Sequence, residues 1–142
     1  KPIDARLLLG AQSVFFKADG FLYWQLGKWH SPRTIGTDPF TDWVAASCFG
    51  FNGEGCLTAA GPDGIPLPTV RLENFRDGLE DYAYVTILKE KIQARGKEDE
   101  WAHRARELVA VPPWLVKALD CFNDDPAALA AWREAMADLI EN

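Results

Sequence analysis

The most constraining feature of the chain is the six-residue run Phe21-Leu22-Tyr23-Trp24-Gln25-Leu26. It is short, aromatic and almost continuously apolar, the pattern of a strand covered on both faces rather than of one on a half-wet antiparallel sheet. No second run of that kind occurs. A single strand of this type leaves both edges unpaired, which is costly unless other chains or other segments cover them. The chain is therefore expected to self-associate or to pair with a larger partner along Phe21–Leu26. Its 142 residues, 48% hydrophobic and 25% charged, suffice for one globular domain with a sizeable core.

Fifteen Lys and Arg against twenty-one Asp and Glu leave a formal net charge of -6. No stretch supplies the basic patch that nucleic acid or an anionic membrane would need, so neither is an expected partner. No run approaches the roughly 18 apolar residues of a membrane span. The opening Lys1-Pro2, without a charged-then-apolar leader, suggests a processed product or a piece of something longer. Cys48, Cys56 and Cys121 are too scattered for a disulfide framework, and no Cys-x-x-Cys pair points to zinc. Neither cofactor nor metal is expected, and the compartment stays open.

Leu8, Leu9, Gln12, Phe15 and Phe16 lie at helical spacing over residues 5–17, with Ala18-Asp19-Gly20 as the stop. From Gly27 to Gly64 the chain turns to Gly, Pro, Asp, Thr and Ser, with Trp29, Phe40, Trp43, Phe49 and Phe51 among them. A connection of that length is uncommon unless it carries function. A weak hairpin is expected with strands Ser47–Phe51 and Gly55–Ala59 around Asn52-Gly53. The prolines of residues 62–68 force turns and extended chain. Thr69 then caps a long helix with Leu72, Phe75, Leu79, Tyr82, Val85, Leu88 and Ile92 inward, closed by Gly96. Glu98 to Ala110 forms a second helix with Trp101, Ala105 and Leu108 inward. A short helix is expected from Trp114 to Phe122. Asp125-Pro126 opens the last one, with Leu129, Trp132, Met136, Leu139 and Ile140 as its stripe.

The densest group of candidate binding residues follows from the run itself: Tyr23, Trp24, Gln25, Trp29 and His30. In parallel α/β architectures the residues just past a strand's C-terminal end line the site. Aromatic faces there suit the apolar faces of sugar rings, and Gln25 and His30 can hydrogen-bond hydroxyls. The competing reading makes Trp24 core and Trp29 a packing residue of the loop. The charges of residues 71–82 alternate at three- and four-residue spacing, which reads as a solvated helix face with weak ion pairs. A glycosidase acid/base pair normally faces across a cleft from two elements, a geometry that one helix does not offer. His30, Asp38 and Asp42 are read as ordinary loop polars rather than ion ligands, and His103 as exposed. The glycines from Gly50 to Gly64 precede no Gly-Lys-Ser/Thr, so they form no phosphate loop.

Beyond these features, the order Asp19-Gly20-Phe21-Leu22-Tyr23-Trp24, Trp29, Asp38-Pro39-Phe40, Gly53-Glu54-Gly55, Gly61-Pro62, Pro66-Leu67-Pro68-Thr69-Val70-Arg71-Leu72-Glu73 and Arg76-Asp77-Gly78-Leu79-Glu80-Asp81-Tyr82 resembles the C-terminal part of the glycoside hydrolase family 123 catalytic domain. The likeness covers roughly residues 5–92. It implies an α/β fold, the C-terminal portion of a TIM (β/α)8 barrel, with Phe21–Leu26 as the final barrel strand, and it assigns residues 1–95 to the barrel and 96–142 to a helical extension packed on it. It also implies β-N-acetylgalactosaminidase-like chemistry: retaining hydrolysis of β-linked N-acetylhexosamine assisted by the substrate's own acetamido group. The adjacent Asp-Glu pair that serves this in the family lies upstream in the barrel and has no counterpart here, so the resemblance implies no catalytic residue in this chain. Three positions differ from the family: Gly27-Lys28-Trp29 lacks the usual Asn, Ala59-Ala60-Gly61 replaces Tyr-Pro-Gly, and Phe40 stands where Trp is common. Two other readings remain at this point, a non-catalytic helical module that binds carbohydrate or protein, and a structural fragment with no activity of its own.

Overall fold

The computed structural model describes residues 1–27, 46–48, 51–52, 55–60 and 65–142. In chain order the elements are α1 (Ile3–Leu7), a π-helical turn (Leu8–Gln12), α2 (Ser13–Phe15), β1 (Ala46–Cys48), β2 (Phe51–Asn52), β3 (Thr58–Ala60), β4 (Pro66–Pro68), α3 (Val70–Arg95), α4 (Glu100–Val109), β5 (Val116–Ala118), β6 (Cys121–Phe122) and α5 (Pro126–Glu141). Helices dominate, and the described strands form three two-stranded antiparallel pairs. The chain divides into two compact units, residues 1–20 with 74–142, and residues 21–73.

The first unit is helical. Leu7, Ala11 and Val14 from its first helical run meet Val85 and Leu88 of α3, Ala105 and Leu108 of α4, Leu115 and Val116 of β5 and its approach, and Leu129, Trp132, Met136 and Leu139 of α5 in one buried cluster. The α5 stripe is the one expected from spacing. Its start is built as predicted: the Asp125 carboxylate accepts from the Ala127 N–H at 3.0 Å, with Pro126 in the first turn, where a missing N–H costs nothing. α4 opens one residue after its cap, Asp99, whose side chain accepts from the Ala102 N–H at 3.0 Å.

Three elements of this unit depart from the periodicity reading. In the first run the buried residues are Leu7, Leu9, Gly10, Ala11, Gln12 and Val14, while Leu8 and Phe16 are exposed. The π turn inserts an i→i+5 repeat that rotates the face relative to a plain α-helix. The run also ends earlier than Gly20. Lys17 takes a left-handed φ of 54°, and the Ala18 N–H returns to the Ser13 carbonyl at 2.9 Å. In α3 the buried face is Gly78, Asp81, Val85 and Leu88, whereas Leu79 and Tyr82 are exposed. Apolar spacing missed this because the inward residues at the crossing with the first run are a glycine and an aspartate. The expected helix over residues 114–122 is a hairpin, with Val116 opposite Phe122 and Ala118 opposite Cys121. The left-handed Val111, at φ 61°, and Pro112-Pro113 break the helical path just before it.

The second unit holds the short strands. β3 pairs with β4, Thr58 opposite Pro68 and Ala60 opposite Pro66. Two prolines flanking Leu67 confine β4 to an edge. β1 pairs with β2, Ala46 opposite Asn52 and Cys48 opposite Phe51, so the expected hairpin is corrected: the connection between its strands is 49–50, and 58–60 pair forward with 66–68 instead of back. Thr69 caps α3 as expected, accepting from the N–H groups of Arg71 at 3.2 Å and Leu72 at 3.4 Å, and its hydroxyl donates to the Leu57 carbonyl at 2.7 Å. Gly96 ends α3 at φ 60°.

The strand expected at Phe21–Leu26 is corrected as well. Residues 21–26 belong to no ladder, and only Gly27 makes an isolated antiparallel bridge, to Cys56. Phe21, Leu22, Trp24 and Leu26 are exposed, Leu22 to 84%. A parallel strand needs neighbours on both edges and cover on both faces, and among the described residues none runs parallel to this segment. Here the apolar run is irregular chain, bent at Trp24 and Leu26, with Phe21, Leu22, Trp24 and Leu26 exposed rather than buried in a strand.

Candidate functional site

Three of the five expected binding residues, Tyr23, Trp24 and Gln25, lie on this outward segment. Phe21 and Tyr23 stack with ring centroids 6.4 Å apart and planes 13° from parallel. The Tyr23 hydroxyl oxygen accepts a hydrogen bond from the Gly55 N–H at 3.1 Å. Gly55 has φ 69°, a conformation that glycine adopts without penalty. Three residues on, the Leu26 carbonyl accepts from the Leu57 and Thr58 N–H groups at 2.8 and 3.1 Å. The segment is thus anchored through Tyr23 and Leu26 to residues 55–58, while Trp24 is 46% exposed and Gln25 is half-buried. Trp24 is not among the buried core residues. Trp29 and His30 lie outside the described residues, as do Asp38 and Asp42. What the arrangement offers chemically is an aromatic surface beside an amide, suited to a ring with an apolar face and hydroxyl edges.

The charged stretch of α3 behaves as expected on its outer side. Arg76 reaches Asp77 at 3.3 Å and Glu80 at 3.4 Å, all exposed to some degree. Asp81 does not. It is fully buried, accepting from Arg6 Nε at 2.7 Å and Nη2 at 3.2 Å and from Arg133 Nε. Arg133 also bonds Glu80 at 3.1 Å and the Asp77 carbonyl. Burial by itself would lower the Arg133 pKa, but its bonds to Asp81 and the charges of Glu80 and Asp77 outweigh that and raise it. Three helices, α1, α3 and α5, are tied at this carboxylate. The backbones approach closely there: a Cβ on Gly78 would fall 2.7 Å from the Arg6 carbonyl oxygen, and one on Gly10 3.0 Å from the Asp81 Cβ. A carboxylate enclosed and saturated in this way holds helices together and does not reach a substrate. Sequence spacing missed it because an inward Asp is legible only once its two arginines, 75 and 52 residues distant, are known to meet it.

The family model of the glycoside hydrolase 123 catalytic domain matches residues 1–88. The chain belongs to this glycoside hydrolase family. No curated protein matches it. The matched stretch contains the aromatic segment, Arg6, Gly78 and Asp81, and ends inside α3; Arg133, which completes the buried node, comes from α5 beyond it. Beyond the match the chain also has an adjacent Asp99-Glu100. Asp99 is committed to the α4 cap. The Ala102 N–H, followed by the Arg95 side chain, holds its carboxyl at a pKa of about 2, far below what a proton donor to a leaving oxygen needs at neutral pH. Among the described residues no group of three or more His, Cys, Asp or Glu is placed to hold a metal ion.

Proposed function

We propose that the chain forms part of a glycoside hydrolase acting on β-linked N-acetylhexosamine, of the β-N-acetylgalactosaminidase type with acetamido-assisted retention. In this reading it supplies the aromatic wall of the sugar pocket, and the Asp-Glu pair that protonates the leaving oxygen and orients the acetamide lies outside these 142 residues. Tyr23, Trp24, Gln25, Trp29 and His30 face the sugar, and the fold they complete is a TIM barrel in which residues 1–95 form the C-terminal part and 96–142 a helical extension. The observation that carries the reading is the family match over residues 1–88. The outward segment supports it, since the exposed apolar side chains of Phe21, Leu22, Trp24 and Leu26 close together in sequence mark a surface that something else covers. A helical core that runs on through α5 favours one alternative, a non-catalytic helical module that binds carbohydrate or protein.

The test is turnover of aryl β-N-acetylhexosaminides. The 142-residue chain is expected to show none. In the complete enzyme that this reading requires, Trp29→Ala is expected to weaken sugar binding about tenfold, the loss of one stacking contact, with the melting temperature nearly unchanged. Turnover by the 142-residue chain that survives repurification and is abolished by replacing one of its own carboxylates would place the acid here and overturn the assignment. A large stability loss at Trp29 with unchanged affinity would make that residue a packing one.

A further inference from the structure

The hairpin between α4 and α5 carries a concave surface outside the family-matched residues. It has a volume of about 310 Å³, and Trp114, Lys117, Cys121, Phe122, Asn123 and Asp124 are among its lining residues. Such a volume stands at the small end of small-molecule sites, roughly 300–1,000 Å³. Trp114 is 51% exposed and Phe122 41%. This distinguishes Trp114 from the other tryptophans of the helical unit. Trp132 is fully buried, with its indole N–H donating to the Leu108 carbonyl at 3.0 Å, and Trp101 donates to the Leu139 carbonyl at 3.1 Å. Those two serve the core.

The frame around the pocket is fixed. Leu115 and Val116 are buried in the core, the Asn123 N–H donates to the Leu115 carbonyl at 2.8 Å, and the Gln12 side chain, itself buried, donates to the Leu119 carbonyl at the hairpin turn at 3.2 Å. The Asn123 side-chain oxygen accepts from the Asp125 N–H at 3.0 Å, which aims the rest of its amide. Lys117 and Asp124 contribute opposite charges, and the Lys1 ammonium bonds Asp124. The lining therefore joins two aromatic faces to an amide, an ammonium and a carboxylate without a strong net charge. Asp124, even when bonded to Lys1, takes hydroxyl donors and Lys117 gives to hydroxyl oxygens, whereas a wholly apolar ligand would strand all three polar groups. A neutral ring with one apolar face and hydroxyls at its edge satisfies both kinds of surface.

We propose that this pocket is an accessory binding site for a neutral saccharide of one or two rings, separate from the hydrolytic site and carried by the segment beyond the family match. The ligand class rests on the glycoside hydrolase membership of the chain; the location does not depend on the roles proposed for Tyr23 to His30.

Cys121 supplies the readout, because its thiol is exposed and lines the pocket. The 142-residue chain is treated with iodoacetamide, with and without N-acetylglucosamine, N-acetylgalactosamine or their β-linked disaccharides, and alkylation at Cys121 is followed by peptide mass spectrometry. Saturable slowing by at least one of these sugars is expected. Trp114→Ala should raise the half-protecting concentration about tenfold, while Trp114→Phe, which keeps a ring, raises it less. Trp24→Ala should leave protection unchanged, so a failure of the proposed hydrolytic wall and a failure of this site give different results. Unchanged Cys121 reactivity with every sugar overturns the proposal. So does protection that persists in Trp114→Ala and Phe122→Ala, or that rises with protein concentration alone, which would make the face a contact between copies.

Discussion

Gly78 and Asp81 sit one helical turn apart on α3, and together they decide how closely the first helical run can approach it. With no side chain at 78, the Arg6 backbone comes within reach of α3, and its guanidinium then lands on the Asp81 carboxylate beside that of Arg133. Gly78→Ala gains helix propensity of about 1 kcal/mol but drives a methyl into the Arg6 carbonyl oxygen and Leu9 Cβ, 2.7 and 2.9 Å away. The clash involves backbone, so it wins. We expect a net loss of about 1–3 kcal/mol by urea denaturation. Gly20→Ala, where a Cβ meets no described residue within 4 Å, should be neutral or slightly stabilising in the same assay. Asp81→Ala leaves two guanidinium groups without their shared carboxylate and should cost about 3–5 kcal/mol. A Gly78→Ala chain as stable as the parent would mean that the close approach does not hold the node.

At the scale of elements, α4 depends on a titratable cap. The bond from the Ala102 N–H, and after it the Arg95 side chain, lowers the Asp99 pKa to about 2 from an ordinary 3.8. The folded-state pKa is depressed, so the stabilisation is complete above the unfolded value, near pH 4 and higher, and is lost as pH falls through 4 toward 2. Amide exchange of Ala102 and His103 should therefore accelerate relative to α5 between pH 5 and pH 2.5 after correction for intrinsic rates. In Asp99→Ala that extra acid sensitivity should vanish. Persistence of the full pH effect in the variant would assign it to another carboxylate. The same scale shows where periodicity worked and where it did not. α5 carries a plain apolar stripe beneath an Asp-Pro start, and its cap and buried face are as spacing predicts. The segment 114–122 has a helix-compatible composition, yet it folds as a hairpin because the left-handed Val111 and two prolines redirect the chain and because Leu115 and Val116 reach the core together.

For the whole molecule, the core of the helical unit draws on both sides of residue 95. Leu7, Ala11 and Val14 share it with Trp132, Met136 and Leu139. A chain cut after Arg95 loses α4 and α5 with most of that cluster, and Asp81 loses Arg133. We expect residues 1–95 to lack a cooperative thermal transition while the 142-residue chain has one. A sharp transition in the shorter piece would show that the family-matched part is stable by itself. The exposed run from Phe21 to Leu26 should make the 142-residue chain self-associate. Sedimentation velocity is expected to show concentration-dependent oligomers that diminish in Leu22→Lys; a strict monomer at all concentrations would mean that this surface stays uncovered in isolation.

Residue type and spacing alone determined the caps at Thr69 and Asp125, the left-handed stop at Gly96, the α5 stripe and, through the ordered motifs of residues 19–82, the family. Each is a local property, written in neighbours a few positions apart. The same local pattern singled out Tyr23, Trp24, Gln25, Trp29 and His30 as candidates, of which Tyr23, Trp24 and Gln25 fall among the described residues. Tertiary structure alone decided that Asp81 turns inward, that the faces of the first run and of α3 are rotated from their apolar positions, and that Phe21–Leu26 lies outward. A buried carboxylate depends on arginines far away in sequence, and a strand depends on neighbours that its own residues do not specify. Burial is a property of what stands opposite, and a chain's local pattern records only that a surface seeks cover, not what provides it.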